Sequence, residues 1–170
     1  ETARSRGREV NTEIEFAWRH RPQSELVAVT GSNGKSTVTE LTTRILVDYG
    51  RAAVAGGNLG PPASQLVIDD AWEIWVLEIS SFQAELLTEM APHVAVFLNL
   101  SQDHLERHHD IDSYVAAKRR LFAFQGPSHV AVLNADDPLV VTTRSAARTR
   151  RFSVSEPADA CLRGDDLVLD

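Results

Sequence analysis

A chain of 170 residues with 43% hydrophobic content is long enough to bury one well-formed core and too short for two full domains. Its net charge of −7 argues against a general nucleic-acid or membrane-surface role, because polyanion binding is driven by clustered Lys and Arg. The single cysteine, Cys161, excludes an internal disulfide, and no apolar run approaches the roughly 20 residues that cross a bilayer.

The expectation is a soluble, cytoplasmic protein. The first 25 residues lack the apolar core of a secretion signal, and the lone cysteine fits a reducing compartment. Glu1 stands where an initiator methionine would, and Met90 is the only methionine, which suggests a piece of a longer chain. Residues 1–8 are polar and Arg-rich and read as a lead-in. Residues 11–20 carry Ile14, Phe16, Ala17 and Trp18 without a clear period, which fits a short helix or the remnant of a preceding domain. Pro22, Gln23 and Ser24 then break the chain, so residues 1–24 are set apart from a domain over 25–170.

Residues 26–37, LVAVTGSNGKST, read as strand, phosphate loop and helix. Gly31 and Gly34 let the main chain approach a ligand, so that N–H groups across Gly31, Ser32, Asn33, Gly34, Lys35, Ser36 and Thr37 can surround phosphate oxygens. Lys35 supplies a point charge to the outer phosphates, and Ser36 offers a hydroxyl to a phosphate-bound Mg²⁺. Val29 stands where the full Walker pattern has glycine, so the match is to Gly-x-x-Gly-Lys-Ser-Thr. The flanking context supports it. Val38, Leu41, Ile45, Leu46 and Tyr49 form one apolar helix face, ended by Gly50.

Residues 52–55 predict a short strand running into Gly56, Gly57, Asn58, Leu59 and Gly60, and residues 63–69 a short helix after two prolines. Residues 74–79, IWVLEI, predict a buried strand with one acid, Glu78. A carboxylate there needs a cation or donors: the Mg²⁺ of a bound nucleotide, or an arginine in a purely structural pair. Ser80 and Gln83 stand at capping-box spacing before a helix that Pro92 stops near Met90. Residues 94–98 predict a strand that delivers Asn99, Asp103 and His104 into a polar turn. His104 reads as a metal ligand, a substrate contact or a solvated histidine; its spacing to His108 suits zinc, but no third ligand is evident.

The predicted helix over 112–124 starts at Asp112 as N-cap and has the apolar face Tyr114, Ala117, Leu121 and Phe122. Lys118 falls on that face. Burial disfavours its charge, so the lysine either snorkels to the edge or is a partly neutral, reactive or metal-associated amine. Residues 129–133 predict a strand, and Asn134, Ala135, Asp136, Asp137 and Pro138 a capped turn opening another helix. The four arginines of 144–151 read as a solvated helix end or loop, and 152–154 and 167–169 as short strands joined through Gly164. Strands alternating with helices predict an α/β fold of P-loop type: a mostly parallel sheet with helices on both faces. Gly31, Asn58, Glu78, His104 and Asn134 all follow strand ends, the edge where open α/β sheets bind ligands.

With these pieces assembled, the chain resembles the central, ATP-binding domain of the Mur ligases. The matching segments are TGSNGKST at 30–37, GGNLG at 56–60, LEISSFQAE at 77–85, LNLSQDHLERH at 98–108 and YVAAKRRLF at 114–122. SSFQ favours the D-glutamate-adding branch over its sister ligases and over folylpolyglutamate synthase. The resemblance implies that ATP phosphorylates the carboxylate of UDP-MurNAc-L-alanine and that the amine of D-glutamate attacks the acyl phosphate, in cytoplasmic peptidoglycan precursor synthesis. It implies catalytic roles for Lys35, His104 and Lys118, with Lys35 on the transferring phosphate. Ser36 and Glu78 would hold one Mg²⁺, and His104 and Lys118 a second, with Lys118 carried as its carbamate. Asn58 and Ser80 would approach the UDP-sugar substrate or the acyl phosphate. The implied protein is a monomer with small-molecule partners and neither nucleic acid nor membrane among them. The family's UDP-binding and C-terminal domains and its His-Asn-x-x-Asn adenine motif are not found within these 170 residues, which implies a fragment that does not turn over alone. Two other readings stay open: a phosphate-loop phosphoryl transferase, which leaves Lys118 unexplained, and a regulatory nucleotide-binding module. A GTPase would show Asn-Lys-x-Asp, which Asn134-Ala135-Asp136-Asp137 is not.

Overall fold

Apolar runs that leave water must pair their main-chain donors and acceptors, and here they do so in one sheet. The computed structural model describes residues 4–8, 10–21, 23–69, 71–101 and 110–169. Its strands are β1 (Glu25–Thr30), β2 (Ala53–Gly57), β3 (Ile74–Glu78), β4 (Val94–Phe97), β5 (Val130–Asn134), β6 (Arg148–Ser153), β7 (Ala160–Arg163) and β8 (Asp166–Leu169). They lie in the order β2-β3-β1-β4-β5-β6-β7-β8, parallel except for the antiparallel β7–β8 pair. The helices are α1 (Glu13–His20), α2 (Lys35–Asp48), α3 (Ala63–Leu66), α4 (Ser81–Ala84) and α5 (Ile111–Arg119), the last continued by a 3₁₀ turn over Arg120–Phe122. The α/β class with helices on both faces is as expected. None of the described helices is long and apolar enough to cross a membrane.

The sheet's alternation builds two cores. On one face Leu26, Ala28, Trp75, Leu77, Ala95, Phe97, Ala131 and Leu133 meet Ile14 and Ala17 of α1, Ala63 and Leu66 of α3, and Leu121 and Phe122 after α5. On the other, Val29, Ile74 and Val76 meet Val38 and Leu46 of α2. All five residues of β3 are buried, as the continuous run IWVLE requires of a central parallel strand.

Several elements differ from expectation for identifiable reasons. The apolar stripe of α2 is split: Val38 and Leu46 are half-buried against the sheet, whereas Leu41 is 56% exposed, Ile45 47% and Tyr49 84%. Thr39 is buried and Thr42 and Thr43 are half-buried, so the helix is rotated toward these threonines and away from Leu41 and Ile45. The helix is pinned at its first turn by the hydrogen bond from Ser36 to Glu78, so the loop geometry sets its rotation. The helix expected to reach Met90 stops at Ala84. Beyond it, the buried carboxylate of Glu15 in α1 accepts the main-chain N–H groups of Thr88, Glu89 and Met90 at 2.6–3.0 Å, and donors held there cannot continue a helical ladder.

Helix α5 is capped two residues earlier than expected, by Asp110, whose Oδ1 accepts the N–H of Ser113 at 2.7 Å. After β5, Asp137 caps a single turn by accepting the N–H groups of Leu139 and Val140, and no α-helix follows among the described residues there. The arginine run is a loop only at Arg144. Residues 148–153 form β6, whose main chain pairs with β5 while Arg148, Arg150 and Arg151 reach into solvent, so no apolar alternation marks it. Arg150 is paired with Asp159.

The Glu15 contacts give a stability prediction. Glu15→Ala leaves three N–H groups of the 88–90 turn without their acceptor and is expected to destabilise the fold by about 3 kcal/mol. Glu15→Gln keeps one acceptor oxygen and should cost about 1 kcal/mol. Urea unfolding of both variants measures this; equal, sub-0.5 kcal/mol effects (an approximate bound on ordinary surface substitutions) would show that the turn needs no internal acceptor.

Candidate active site

The strand order sets the site. Because β3 lies between β2 and β1, the turns leaving both neighbours reach the C-terminal end of β3, where Glu78 is only 3% exposed. From the β1 side, Ser36 Oγ donates to Glu78 Oε2 at 2.7 Å. From the β2 side, Asn58 Nδ2 donates to Oε1 at 2.8 Å, and the Asn58 N–H donates to the Glu78 carbonyl at 2.9 Å. Gly57 makes this approach possible. Its φ is +94°, and a Cβ there would sit 2.5 Å from the Glu78 carbonyl oxygen. Among the described residues no lysine or arginine forms an ion pair with Glu78, so the structural arginine pair is not what answers this carboxylate.

The phosphate loop follows β1, and Gly34 at φ +79° is the N-cap of α2. The first-turn N–H groups of a helix have no intrahelical acceptor, which leaves Gly34, Lys35, Ser36 and Thr37 facing outward as anion donors. Ser32 and Asn33 are different. Their N–H groups donate to the main-chain carbonyl and side-chain Oδ1 of Asn99, each at 2.9 Å, so the expected cradle over 31–37 narrows to its second half. Lys35 folds back over the loop, with Nζ donating to the Ser32 carbonyl at 2.9 Å.

Lys118 is 1% exposed and does not snorkel. Its Nζ donates to the Gly31 carbonyl at 2.8 Å and lies 4.7 Å from the ring centre of Tyr114, one turn earlier on α5. Burial pushes its pKa down to about 7, the charge of Lys35 pushes the same way, and Glu78 opposes both. The phenol of Tyr114 reaches the hydroxyl of Ser32 at 3.2 Å. Ser80 caps α4, with its hydroxyl and the side chain of Gln83 in a reciprocal capping box. Lys35, Asn58, Ser80, Phe82, Tyr114 and Lys118 line one cavity of about 240 Å³.

The structure therefore brings Lys35, Ser36, Asn58, Glu78, Ser80 and Lys118 together; His104, with Asp103 and His108, lies outside the described residues. Asn134 is drawn to the next strand exit instead, donating from Nδ2 to the Leu98 carbonyl at 2.8 Å. Sequence reasoning missed Tyr114, taken only as an apolar-face residue, and the anchoring role of Asn99. The signal for Tyr114 was its place one turn before Lys118, since a buried phenol needs a partner. Among the described residues no cluster of three His, Cys, Asp or Glu side chains exists. The oxygen donors at this point are the Glu78 carboxylate and the Ser36 hydroxyl, with the Asn58 amide turned nitrogen-first toward the acid. That fits a hard cation brought in with a nucleotide better than a protein-caged metal.

Comparison with known proteins agrees with this arrangement. Residues 29–168 match the family model described as the Mur ligase middle domain. The chain belongs to the Mur ligase family. It is 42% identical over 99% of its length to the UDP-N-acetylmuramoylalanine–D-glutamate ligase of Solibacter usitatus (strain Ellin6076), covering 39% of that protein. It is 44% identical over 94% of its length to the same-named ligase of Anaeromyxobacter dehalogenans (strain 2CP-C), covering 36% of it. Among solved structures it resembles the MurF ligase from Thermotoga maritima in complex with ADP, with TM-score 0.71 and 26% identity over 89% of this chain and 38% of that one. It also resembles a UDP-N-acetylmuramoyl-L-alanyl-D-glutamate–2,6-diaminopimelate ligase, with TM-score 0.69 and 27% identity over 83% and 34%. The chain thus spans about two fifths of the first of these relatives.

The lysine of this Mur ligase domain has a measurable signature. Its folded pKa of about 7 lies below the ordinary 10.5, so below pH 7 the buried charge is fully present and the fold bears the whole desolvation penalty. Between about 7 and 10.5 the unfolded chain binds more protons, and this contribution to stability rises with pH. In CO₂-free buffer, Lys118→Met is expected to stabilise the fold by roughly 3 kcal/mol near pH 6, with the gain vanishing near pH 10. Denaturant unfolding across that range tests it, and a pH-independent difference would mean that Lys118 keeps an ordinary pKa.

Proposed function

We propose that this chain is the nucleotide-handling domain of an ATP-dependent ligase that joins D-glutamate to UDP-N-acetylmuramoyl-L-alanine, acting in the cytoplasm as a monomer on small-molecule substrates. Neither nucleic acid nor membrane takes part. The observation that carries the proposal is the juxtaposition of a phosphate loop, a buried acid and a buried, half-neutral lysine around one cavity. Relatives that carry this ligase's name support the choice of substrates.

A carboxylate oxygen of the UDP-linked alanine attacks the γ-phosphorus, and the bond from that phosphorus to the β,γ-bridging oxygen breaks, leaving ADP and an acyl phosphate. The amine of D-glutamate then attacks the acyl carbon and loses a proton, and inorganic phosphate departs as the amide forms. Lys35 and the N–H groups of Gly34 to Thr37 neutralise and orient the transferring phosphoryl group, which is where a loose phosphoryl-transfer transition state gains most. Asn58 and Ser80, which line the same cavity, position the carboxylate or the acyl phosphate for in-line attack. Ser36 and Glu78 would hold Mg²⁺, which when bound would screen the phosphate charge.

Lys118 has a different task. The neutral Nζ would add to CO₂, forming a nitrogen–carbon bond and releasing a proton, and the carbamate with His104 would be the residues that hold a second Mg²⁺. The carbamate nitrogen retains one hydrogen, enough to keep the bond to the Gly31 carbonyl. A plain phosphoryl transferase accounts for the loop but gives this lysine nothing to do.

The test is phosphate release by the whole ligase carrying this chain, with ATP, Mg²⁺ and UDP-MurNAc-L-alanine, in the presence and absence of D-glutamate. Release should depend on D-glutamate, fall by roughly a hundredfold or more in Lys118→Ala, and recover partly with added short carboxylic acids. Release indifferent both to D-glutamate and to Lys118 would leave only a generic ATPase.

A further inference from the structure

The loop residues Ser32 and Asn33 are flanked by glycines and make no regular ladder, yet they are fixed. The segment leaving β4 fixes them. The Leu98 N–H donates to the Thr30 carbonyl at 2.9 Å, and the Ser32 N–H donates to the Asn99 carbonyl at 2.9 Å, so the two strand exits continue side by side. Beyond that point the side chain of Asn99 acts as a peptide group would. Its Oδ1 accepts the Asn33 N–H at 2.9 Å while its Nδ2 donates to the Asn33 carbonyl at 3.0 Å. Only one orientation of the amide satisfies both partners. Ser101 completes the strap: its N–H donates to Ser32 Oγ at 2.9 Å, and its Oγ accepts from Asn33 Nδ2 at 3.3 Å.

The strap is itself anchored from behind. Asn134 Nδ2 holds the Leu98 carbonyl, and Asp137 Oδ2 accepts the Leu100 N–H at 2.7 Å. The acid-bearing turn after β5, which has no part in the chemistry above, thus braces the segment that braces the phosphate loop.

We propose that Asn99 is a positioning residue for nucleotide binding, whose side-chain amide holds the first half of the phosphate loop so that the N–H groups of the second half are already aimed. The inference rests on the nucleotide-binding reading above. Its physical basis is preorganisation: a glycine-flanked loop that must be ordered by its ligand binds that ligand more weakly than one ordered in advance. Ser32 Oγ also contacts the Tyr114 hydroxyl, and the carbonyls of Gly31 and Ser32 receive Lys118 and Lys35. The same loop segment therefore carries the main-chain acceptors of both lysines.

The experiment is an equilibrium titration of Mg²⁺-ATP into the whole ligase as wild type, Lys35→Ala, Asn99→Ala and Asn99→Asp, with the unfolding midpoint of each nucleotide-free protein. Asn99→Ala is expected to weaken ATP roughly tenfold, the factor that corresponds to about 1.4 kcal/mol of lost preorganisation. Asn99→Asp is isosteric but cannot donate to the Asn33 carbonyl and adds negative charge beside the phosphates, so its loss should be larger and should grow at low salt. In turnover, most of the loss should fall in KM for ATP, with the affinity for the UDP-sugar substrate unmoved. ATP affinity within twofold of wild type in both Asn99 variants, while Lys35→Ala loses it, would overturn this inference and leave the nucleotide reading intact. Parallel weakening of the UDP-sugar would overturn it too, marking a merely structural residue. Failure of the wild type to bind ATP would overturn both. Should Asn99→Ala not fold, the isosteric aspartate variant decides.

Discussion

A carboxylate buried on a central strand has to be answered, and the answer given to Glu78 organises this molecule. Parallel strands put their C-terminal ends on one edge, so the neighbours of β3 in the sheet, β2 and β1, deliver their exit turns to the same place. Each turn contributes one donor, Asn58 from the glycine-dense exit of β2 and Ser36 from the first turn of α2. The acid is satisfied without a cationic side chain, and its two partners are groups that a metal ion could replace or join. The backbone requirement follows from the same contact. Only glycine at 57 lets the β2 exit lie against the main chain of Glu78.

The exit of β1 also meets a buried amine. Lys118, from the helix that follows β4, donates to the Gly31 carbonyl and lines one cavity with Asn58 and Ser80. The loop leaving β1 therefore contacts both a buried acid and a buried amine. Glu78 works against the fall in the lysine's pKa and does not cancel it. Lys118 reaches the loop through the Gly31 carbonyl, and Asn99 holds the next two residues, so the phosphate loop is positioned by contacts from β3, β4 and α5 and hardly at all by itself.

Much of this was legible in the residues because short-range rules decide it. IWVLE could only be a buried parallel strand, the glycine-lysine turn could only open a helix, and the capping box at Ser80 and Gln83 is present as read. What was not legible depends on distant partners. The end of α4 is set by Glu15, roughly seventy residues away in sequence, and no local signal announces that a carboxylate will take the donors of 88–90. Strand β6 has no apolar alternation because its arginines face solvent, so its pairing with β5 is visible only in the main chain. The rotation of α2 met expectation only in part, burying Val38 and Leu46 but exposing Leu41, Ile45 and Tyr49, since a helix pinned at one end by a loop does not turn freely to bury its whole apolar stripe.

Lys118 is the residue where local rules and global fold disagree most, and that disagreement is informative. Helix propensity is indifferent between lysine and an unbranched aliphatic side chain of similar length, and core packing prefers the aliphatic one. Neither helix nor core therefore explains an ammonium group at 1% exposure. Charge alone does not explain it either, because burial has removed much of the charge at neutral pH. What burial leaves is an amine of lowered pKa beside a phosphate loop and near the Glu78 carboxylate. That amine is also the donor that holds the Gly31 carbonyl, so the expense of stability is tied to the phosphate loop it touches.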